Sequence, residues 1–397
     1  MAIRCAPPVY SPVSARALAS GWGAAVGWGN GTALERLSEE LRSRFGAAVA
    51  LLVDSGTSAL AIALTAALRD RPGAPVALPA YCCYDVATAA AAADVPVLLY
   101  DVDPTTLGPH WPSLERALAG GAGAVVVAHL LGLAVDTERA LDRCAAADAV
   151  LIEDAAQGVG GRLQDRPLGA LGPLSVLSFG RGKGWTGGTG GALLARGAGV
   201  SLLEAARGLA PAAGAWRALL GASAQWLLAW PPVYGLPATL PFLRLGQAIY
   251  RRPHPPRALA TGPAALALAS LAASDAEAEI RRARARRIAA GALAAGLAVV
   301  PPLAESAAGY LRFPLLLGAE PPDGRARAVG IARAYPLALV DLPQLGPRCL
   351  NRDGAFPGAR RLAAELYTAP THSRLSETDV DALLKWIEAG RPNGRVA

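Results

Sequence analysis

Of the 38 basic residues in this 397-residue chain, only two are lysines, Lys183 and Lys385. The chain uses Arg wherever a positive charge suffices, so a retained Lys is a candidate for chemistry that a guanidinium cannot do. A primary amine can lose its proton and add to a carbonyl carbon to form an imine. Lys385 falls on an amphipathic stretch near the C-terminus, DVDALLKWIEAG, where a solvated Lys needs no further reason. Lys183 falls in a glycine-rich loop, Ser178 to Gly191, directly after an apolar run.

Two other loops carry chemistry that suits such an amine. Asp54-Ser55-Gly56-Thr57-Ser58-Ala59-Leu60 lies between an apolar run and a helical one. Its glycine permits close approach, its hydroxyls donate, and a helix N-terminus adds free N–H groups and a positive dipole end, which suits a phosphate monoester. The same serines and threonine also read as plain helix caps. Glu153-Asp154-Ala155-Ala156-Gln157 follows another apolar run. A buried Asp there can keep a pyridinium nitrogen protonated, with Gln157 near the ring; a capping Asp and a surface Gln is the bland alternative. Ser178 stands five residues before Lys183, so its hydroxyl can reach phosphate while the amine reaches an aldehyde carbon. Taken together these residue types fit pyridoxal 5′-phosphate (PLP), whose protonated ring is an electron sink. A P-loop is excluded because Gly184, not Ser or Thr, follows Lys183. The first strand–helix turn carries no GxGxxG.

The elements that must position these loops are short apolar strands alternating with Ala/Leu-rich helices. Strands are predicted at Ala48–Val53, Pro75–Leu78, Val97–Tyr100, Ala124–Ala128, Val150–Glu153, Leu174–Phe179 and Gly191–Ala195. Helices are predicted at Thr57–Arg69, Tyr84–Ala93, Ser113–Ala119 and Thr137–Ala147. The pattern predicts an α/β fold, a three-layer α/β/α large domain on a mostly parallel sheet, with ligands at the carboxyl ends of its strands. The three loops all follow a strand directly. A smaller α+β C-terminal domain is expected over 255–397, after a large domain over 1–254. It holds a long helix (Pro263–Leu293) and strands at Ala298–Val300 and Leu311–Leu317.

Composition narrows the class. The chain is 53% hydrophobic and 17% charged, which excludes disorder. Its charge of +7 suits anionic small molecules, and the arginines do not form the stripe expected of a nucleic-acid binder. The local run Arg281–Arg287 reads as a solvated helix face. Five cysteines show no metal or disulfide spacing, and the N-terminus lacks an apolar leader core, so a reducing cytoplasm and no metal are expected. Ala218–Leu243 is 26 residues without a charge, and its prolines break any single membrane-spanning helix.

These motifs resemble the DegT/StrS family of PLP-dependent aminotransferases (fold-type I, aspartate aminotransferase-like). The resemblance rests on Ser55–Leu60, Glu153–Gln157, Ser178–Lys183 and Gly188–Gly191, in that family's order and spacing. Pro79-Ala80-Tyr81, Asp101-Val102-Asp103, His129–Gly132, Phe356-Pro357 and Pro370-Thr371-His372 extend it over about residues 12 to 390. It implies Lys183 as the catalytic lysine, holding the cofactor as a Schiff base. It implies Asp154 at the pyridine nitrogen, Gln157 and Cys83 near the ring, and Gly56, Thr57, Ser58 and Ser178 at the phosphate. The implied reaction moves an amino group from a small-molecule donor, commonly glutamate, to a keto-sugar or similar biosynthetic ketone, in a homodimer. Sugar dehydratases of the family carry His at the position of Lys183, so Lys183 argues for amination.

Three departures leave alternatives open. The family stacks an aromatic on the ring where this chain has Cys83, with Tyr84 beside it, so either residue could pack there. Arg257–Gly262 lacks the Asn that the family lends to a neighbouring subunit. The apolar insertion, about 214–245, fits an interface, a lid over a lipophilic or carrier-bound carbonyl, or a peripheral membrane contact through 218–243. A non-catalytic regulator on the same fold is a further alternative.

Overall fold

A computed structural model of the chain describes residues 5–28, 31–203, 209–238, 248–318 and 324–389. Two helices open it, α1 (Ala15–Ala25) and α2 (Ala33–Phe45). An alternating series follows: β1 (Val49–Val53), α3 (Gly56–Ala67), β2 (Val76–Pro79), α4 (Tyr84–Ala92), β3 (Val97–Tyr100), α5 (Trp111–Ala119), β4 (Ala124–Ala128), α6 (Thr137–Ala146) and β5 (Val150–Asp154). A small hairpin, β6 (Arg162–Leu163) and β7 (Arg166–Pro167), precedes β8 (Leu174–Ser178) and β9 (Gly191–Ala195). The seven long strands pair in the order β1-β9-β8-β5-β4-β2-β3, with β9 antiparallel to both neighbours and the other contacts parallel.

Alternation along the strands separates two apolar layers, as the pleat requires. Ala124 and Val126 of β4 join a core with Leu60 and Leu64 of α3 and Ala87 and Ala90 of α4. Val125 and Val127 join another with Leu114 of α5 and Ala140 of α6. The sheet is therefore covered on both faces, the three-layer arrangement that the strand pattern predicts. The seven predicted strands all form, with ends shifted by at most a residue. Both opening helices escaped the sequence reading, although α2 buries a plain Leu37–Leu41–Phe45 stripe.

Beyond β9 come α7 (Gly199–Leu203), α8 (Ala215–Leu228), α9 (Pro231–Ala238), α10 (Thr261–Leu271) and α11 (Ser274–Ala294). Residues 239–243 of the apolar segment lie outside the described residues. The single helix predicted over 263–293 is two, α10 and α11. The Ser270 hydroxyl turns back to the Ala267 and Thr186 carbonyls and that of Ser274 to Leu271, which competes with helix continuation at Ala272 and Ala273. Helix α10 packs on α1 and α2, so a division at residue 254 leaves it against the large unit. The C-terminal unit adds β10 (Ser306–Ala307), β11 (Phe313–Leu316), α12 (Gly324–Ala328), β12 (Ala332–Arg333), α13 (Pro357–Glu365), β13 (Leu366–Ala369) and α14 (Glu377–Ala389). Strands β11-β13-β12 form an antiparallel sheet against which α11 and α14 bury Ile288, Leu383 and Ile387. The predicted strand at Ala298–Val300 is irregular instead.

The Arg281–Arg287 run is a solvated face only in part: Arg286 and Arg287 are exposed, whereas its other side turns inward. Arg281 is fully buried, paired with Glu277 and donating to the Tyr10 carbonyl at 2.9 Å. Arg284 donates to the carbonyls of His372 and Leu375. The inner face of α11 meets main-chain oxygens of the N-terminal segment and of the 372–375 turn, and only a cation with several donors satisfies them.

Candidate active site

Loops at the carboxyl ends of β1, β2, β5 and β8 converge on one cavity of about 570 Å³. Because β9 runs antiparallel, its amino end, Gly188 to Gly190, arrives at the same edge. The cavity is lined by Gly56 and Thr57 at the start of α3, Cys83, Tyr84, Asp154, Gln157, Ser178 and Lys183. Every sequence-predicted site residue except Ser58 lines it. Ser58 is buried behind its own cap: Ser55 Oγ accepts the Ser58 N–H at 3.0 Å and donates to Ser58 Oγ at 2.9 Å. The capping reading of this loop holds, and Gly56 and Thr57 in the first turn of α3 border the cavity. Gly56 is required by space, because a Cβ there would lie 2.8 Å from Ser178 Cβ.

Asp154 ends β5. Its Oδ1 accepts the Ala156 N–H at 3.0 Å, and its other carboxylate oxygen has no protein partner among the described residues. Burial raises its pKa above the usual carboxylate range, opposed by the Ala156 N–H and the Lys183 charge. Such a carboxylate gains from a cation or N–H placed against it. Behind it, Glu153 is fully buried and acts as an anchor. It accepts from the N–H groups of Gly169, Leu171 and Gly172, from Ser175 Oγ and from His129 Nε2, at 2.6 to 2.9 Å. Burial alone would raise its pKa, but the His129 contact and these donors overcome it and hold the carboxyl at about 2. His129 Nδ1 accepts the Val135 N–H, so its proton is on Nε2.

Gln157 Oε1 accepts the Leu131 N–H at 3.1 Å, and its Nε2 donates to the Tyr335 hydroxyl at 3.0 Å. Tyr335 belongs to the C-terminal unit and also lines the cavity. Its ring lies 5.7 Å from that of Tyr81 and 5.8 Å from that of Tyr84. Tyr84 is 4% exposed, and its hydroxyl accepts the Leu337 N–H, so this side chain is committed to the C-terminal unit. Cys83 presents the more exposed side chain. Burial, then the Asp85 charge, pushes its thiol up to about 11, so it stays protonated at neutral pH.

Lys183 enters on the loop after β8, with no hydrogen bond or ion pair to the described residues. The same cavity is lined by basic side chains that the sequence did not single out: Arg181, Arg217, Arg251 and His254. Gly188 adopts φ +78°, and a Cβ there would meet the Ala218 carbonyl at 2.5 Å, so α8 can close on this loop only over a glycine. A narrower opening of about 210 Å³ joins Lys183 and Gln157 to Arg312 and Tyr335. Tyr335 and Arg312 lie on irregular C-terminal segments, where no local motif marks them.

The site and its scaffold find counterparts among known proteins. The DegT/DnrJ/EryC1/StrS aminotransferase family profile matches residues 15–200. The chain is 31% identical over 164 residues to 3-amino-5-hydroxybenzoate synthase of Amycolatopsis mediterranei (strain S699), covering 41% of this chain and 42% of that protein. It is 33% identical over 147 residues to L-glutamine:2-deoxy-scyllo-inosose aminotransferase of Micromonospora echinospora, covering 37% and 35%. The chain thus spans about two fifths of the length of the curated relatives it matches. The crystal structure of an aminotransferase TlmJ from Streptoalloteichus hindustanus superposes with a TM-score of 0.74 at 25% identity, over 97% of this chain and 98% of that one. Residues 15–200, the stretch that matches the DegT/DnrJ/EryC1/StrS aminotransferase family profile, carry every sequence-predicted residue of the cavity.

Proposed function

We propose that this chain is a PLP-dependent aminotransferase that passes an amino group from a small donor such as glutamate to a keto-sugar or similar biosynthetic ketone. The observation that carries this reading is the convergence of Lys183, Asp154 and the N-terminus of α3 on one cavity. The residues suit the cofactor on their own chemistry. An N-terminal helix turn, Thr57 and Ser178 suit a phosphate. Asp154 has a carboxylate oxygen left for a ring nitrogen, and among the described residues Lys183 is the one primary amine lining the cavity.

When bound, PLP supplies an aldehyde that condenses with amines and a sink for the electron pair released at a substrate carbon. The chain's own residues do the rest. Lys183 Nζ would hold the cofactor's aldehyde carbon and would take and return the proton at the substrate carbon as general base and acid. Asp154 keeps a ring N–H protonated. Gln157, fixed by Leu131 and Tyr335, presents its amide edge beside the ring. Arg181 and Arg312 offer guanidinium groups to a substrate carboxylate through the narrower opening.

A second reading keeps the cofactor and gives the acceptor a lipophilic or carrier-bound carbonyl. It is favoured by Gly214, Arg217 and Ala218 of the apolar segment lining the same cavity. A homodimer in a reducing cytoplasm completes the proposal, with all five cysteines free.

The test is spectroscopic. Wild-type protein given PLP should develop a visible absorbance band that an amino donor bleaches, and Lys183→Ala should lose the band. Failure of the wild type to take up PLP would sink the reading. Uptake without response to any donor would favour the non-catalytic alternative. Deleting 218–243 separates the acceptors: loss of acceptor turnover alone favours the lipophilic one.

A further inference from the structure

Helix α8 is largely apolar and its one charge is Arg217, yet only one side of it is packed. Its inner residues Leu219 and Ala222 join Val13, Ala17, Leu18 and Leu266 in a small core with α1 and α10. Its outer residues Trp216, Leu220 and Leu227 are 56%, 50% and 58% exposed, and their spacings of four and eleven residues fall on one helical stripe. Trp230 and Val233 carry the stripe into α9, at 51% and 47%. Arg374 stacks 4.3 Å over the Trp230 ring without covering it. Scattered apolar residues are ordinary on a surface, but a band across two consecutive helices marks an interaction site.

Charge decides which partner suits the band. From residue 205 to residue 274 there is no Asp or Glu, and there are six arginines. The remainder of the chain carries 32 basic and 31 acidic residues, so this stretch holds nearly the whole excess of +7. Arg217, Arg251, Arg252 and Arg257 are exposed, and Arg217 lies 5.1 Å from the Trp216 ring. A second copy related by a two-fold axis would set this surface against itself, arginine facing arginine with no carboxylate from the stretch on either side. An anionic lipid headgroup layer meets both needs, because tryptophans and leucines enter the interface while arginines meet phosphates. Among the described residues no helix is long and apolar enough to cross a membrane, and α8 has 14 residues, so the contact lies in the plane of the surface.

We propose that α8 and α9 dock this protein on an anionic lipid bilayer, with Trp216, Leu220, Leu227, Trp230 and Val233 entering the interface. Docking sets the cavity mouth beside the headgroups, since Gly214, Arg217 and Ala218 line the cavity as well.

Sedimentation of the full chain with phosphatidylcholine vesicles, with and without phosphatidylglycerol, tests this. Binding to the anionic vesicles should be at least about tenfold stronger, because arginines near such a surface are attracted to its phosphates. It should weaken with salt and shift Trp emission to the blue. The triple change Trp216→Ser, Leu220→Ser, Leu227→Ser, at exposed positions, should keep the thermal transition and lose binding. Arg251→Gln with Arg252→Gln should reduce the preference for anionic vesicles. Absence of binding, or equal binding to neutral vesicles, overturns the proposal. So does a wild-type dimer that becomes a monomer in the triple variant, since that outcome assigns the face to a second copy.

Discussion

The Gln157 amide donates to the Tyr335 hydroxyl at 3.0 Å, joining residues 178 positions apart and tying the C-terminal unit to the floor of the cavity. Removing that acceptor with Tyr335→Phe should leave the fold intact and free the amide to turn. The cost of one such bond is about 1 kcal/mol. Turnover should fall about fivefold, with a change in the pH dependence of the cofactor's absorbance. An unaltered spectrum and rate would remove Gln157 and Tyr335 from the working site.

Glu153 should matter for stability more than for chemistry. Its carboxylate is buried among five donors, so Glu153→Ala should cost about 3–5 kcal/mol in urea denaturation. Its folded pKa, about 2, lies below the unfolded value of 4.5. Its contribution is therefore complete above about pH 4.5 and is lost as the pH falls toward 2. A wild-type stability curve that is flat over that interval would refute the assignment.

His372 titrates with the opposite charge change. Burial pushes its pKa down to about 4, although Nε2 donates to the Pro7 carbonyl at 2.8 Å. Glu277, Arg281, Arg284 and the Tyr10 ring surround it. The unfolded chain takes up this proton near pH 6.5 and the folded chain only near 4, so stability should decline as the pH falls across that interval. His372→Asn should remove this part of the slope, as read from the difference between wild-type and variant melting curves.

Space, not charge, governs Gly56. Gly56→Ala places a methyl 2.8 Å from Ser178 Cβ, forcing apart α3 and β8 where they border the cavity. Overpacking of this kind costs about 1–3 kcal/mol, which should appear as PLP affinity weakened about tenfold or more. Equilibrium titration of the cofactor measures it, and unchanged affinity would place the phosphate elsewhere.

Local signals were enough for the strands, for the Ser55 cap and for Lys183 and Asp154. Apolar runs of five residues, glycines beside them and a lysine in an arginine-rich chain act within a few positions, and one sequence displays them. Opposite faces of β4 were equally legible, because side-chain alternation is a property of the strand itself. What the tertiary structure decided is which distant groups meet there. It brought Tyr335 to Gln157, bonded Tyr84 to the Leu337 N–H while both Tyr84 and Cys83 line the cavity, and turned Arg281 inward onto the Tyr10 carbonyl. It also made Glu153 an anchor, since its partners Gly169, Leu171 and Gly172 come from a loop without a motif and Ser175 from β8. The same holds for Lys183. Its scarcity singled it out in the sequence, but only the folding of the β5, β8 and α3 ends onto one edge brought it into one cavity with Asp154, the first turn of α3 and Arg181, Arg217 and Arg251.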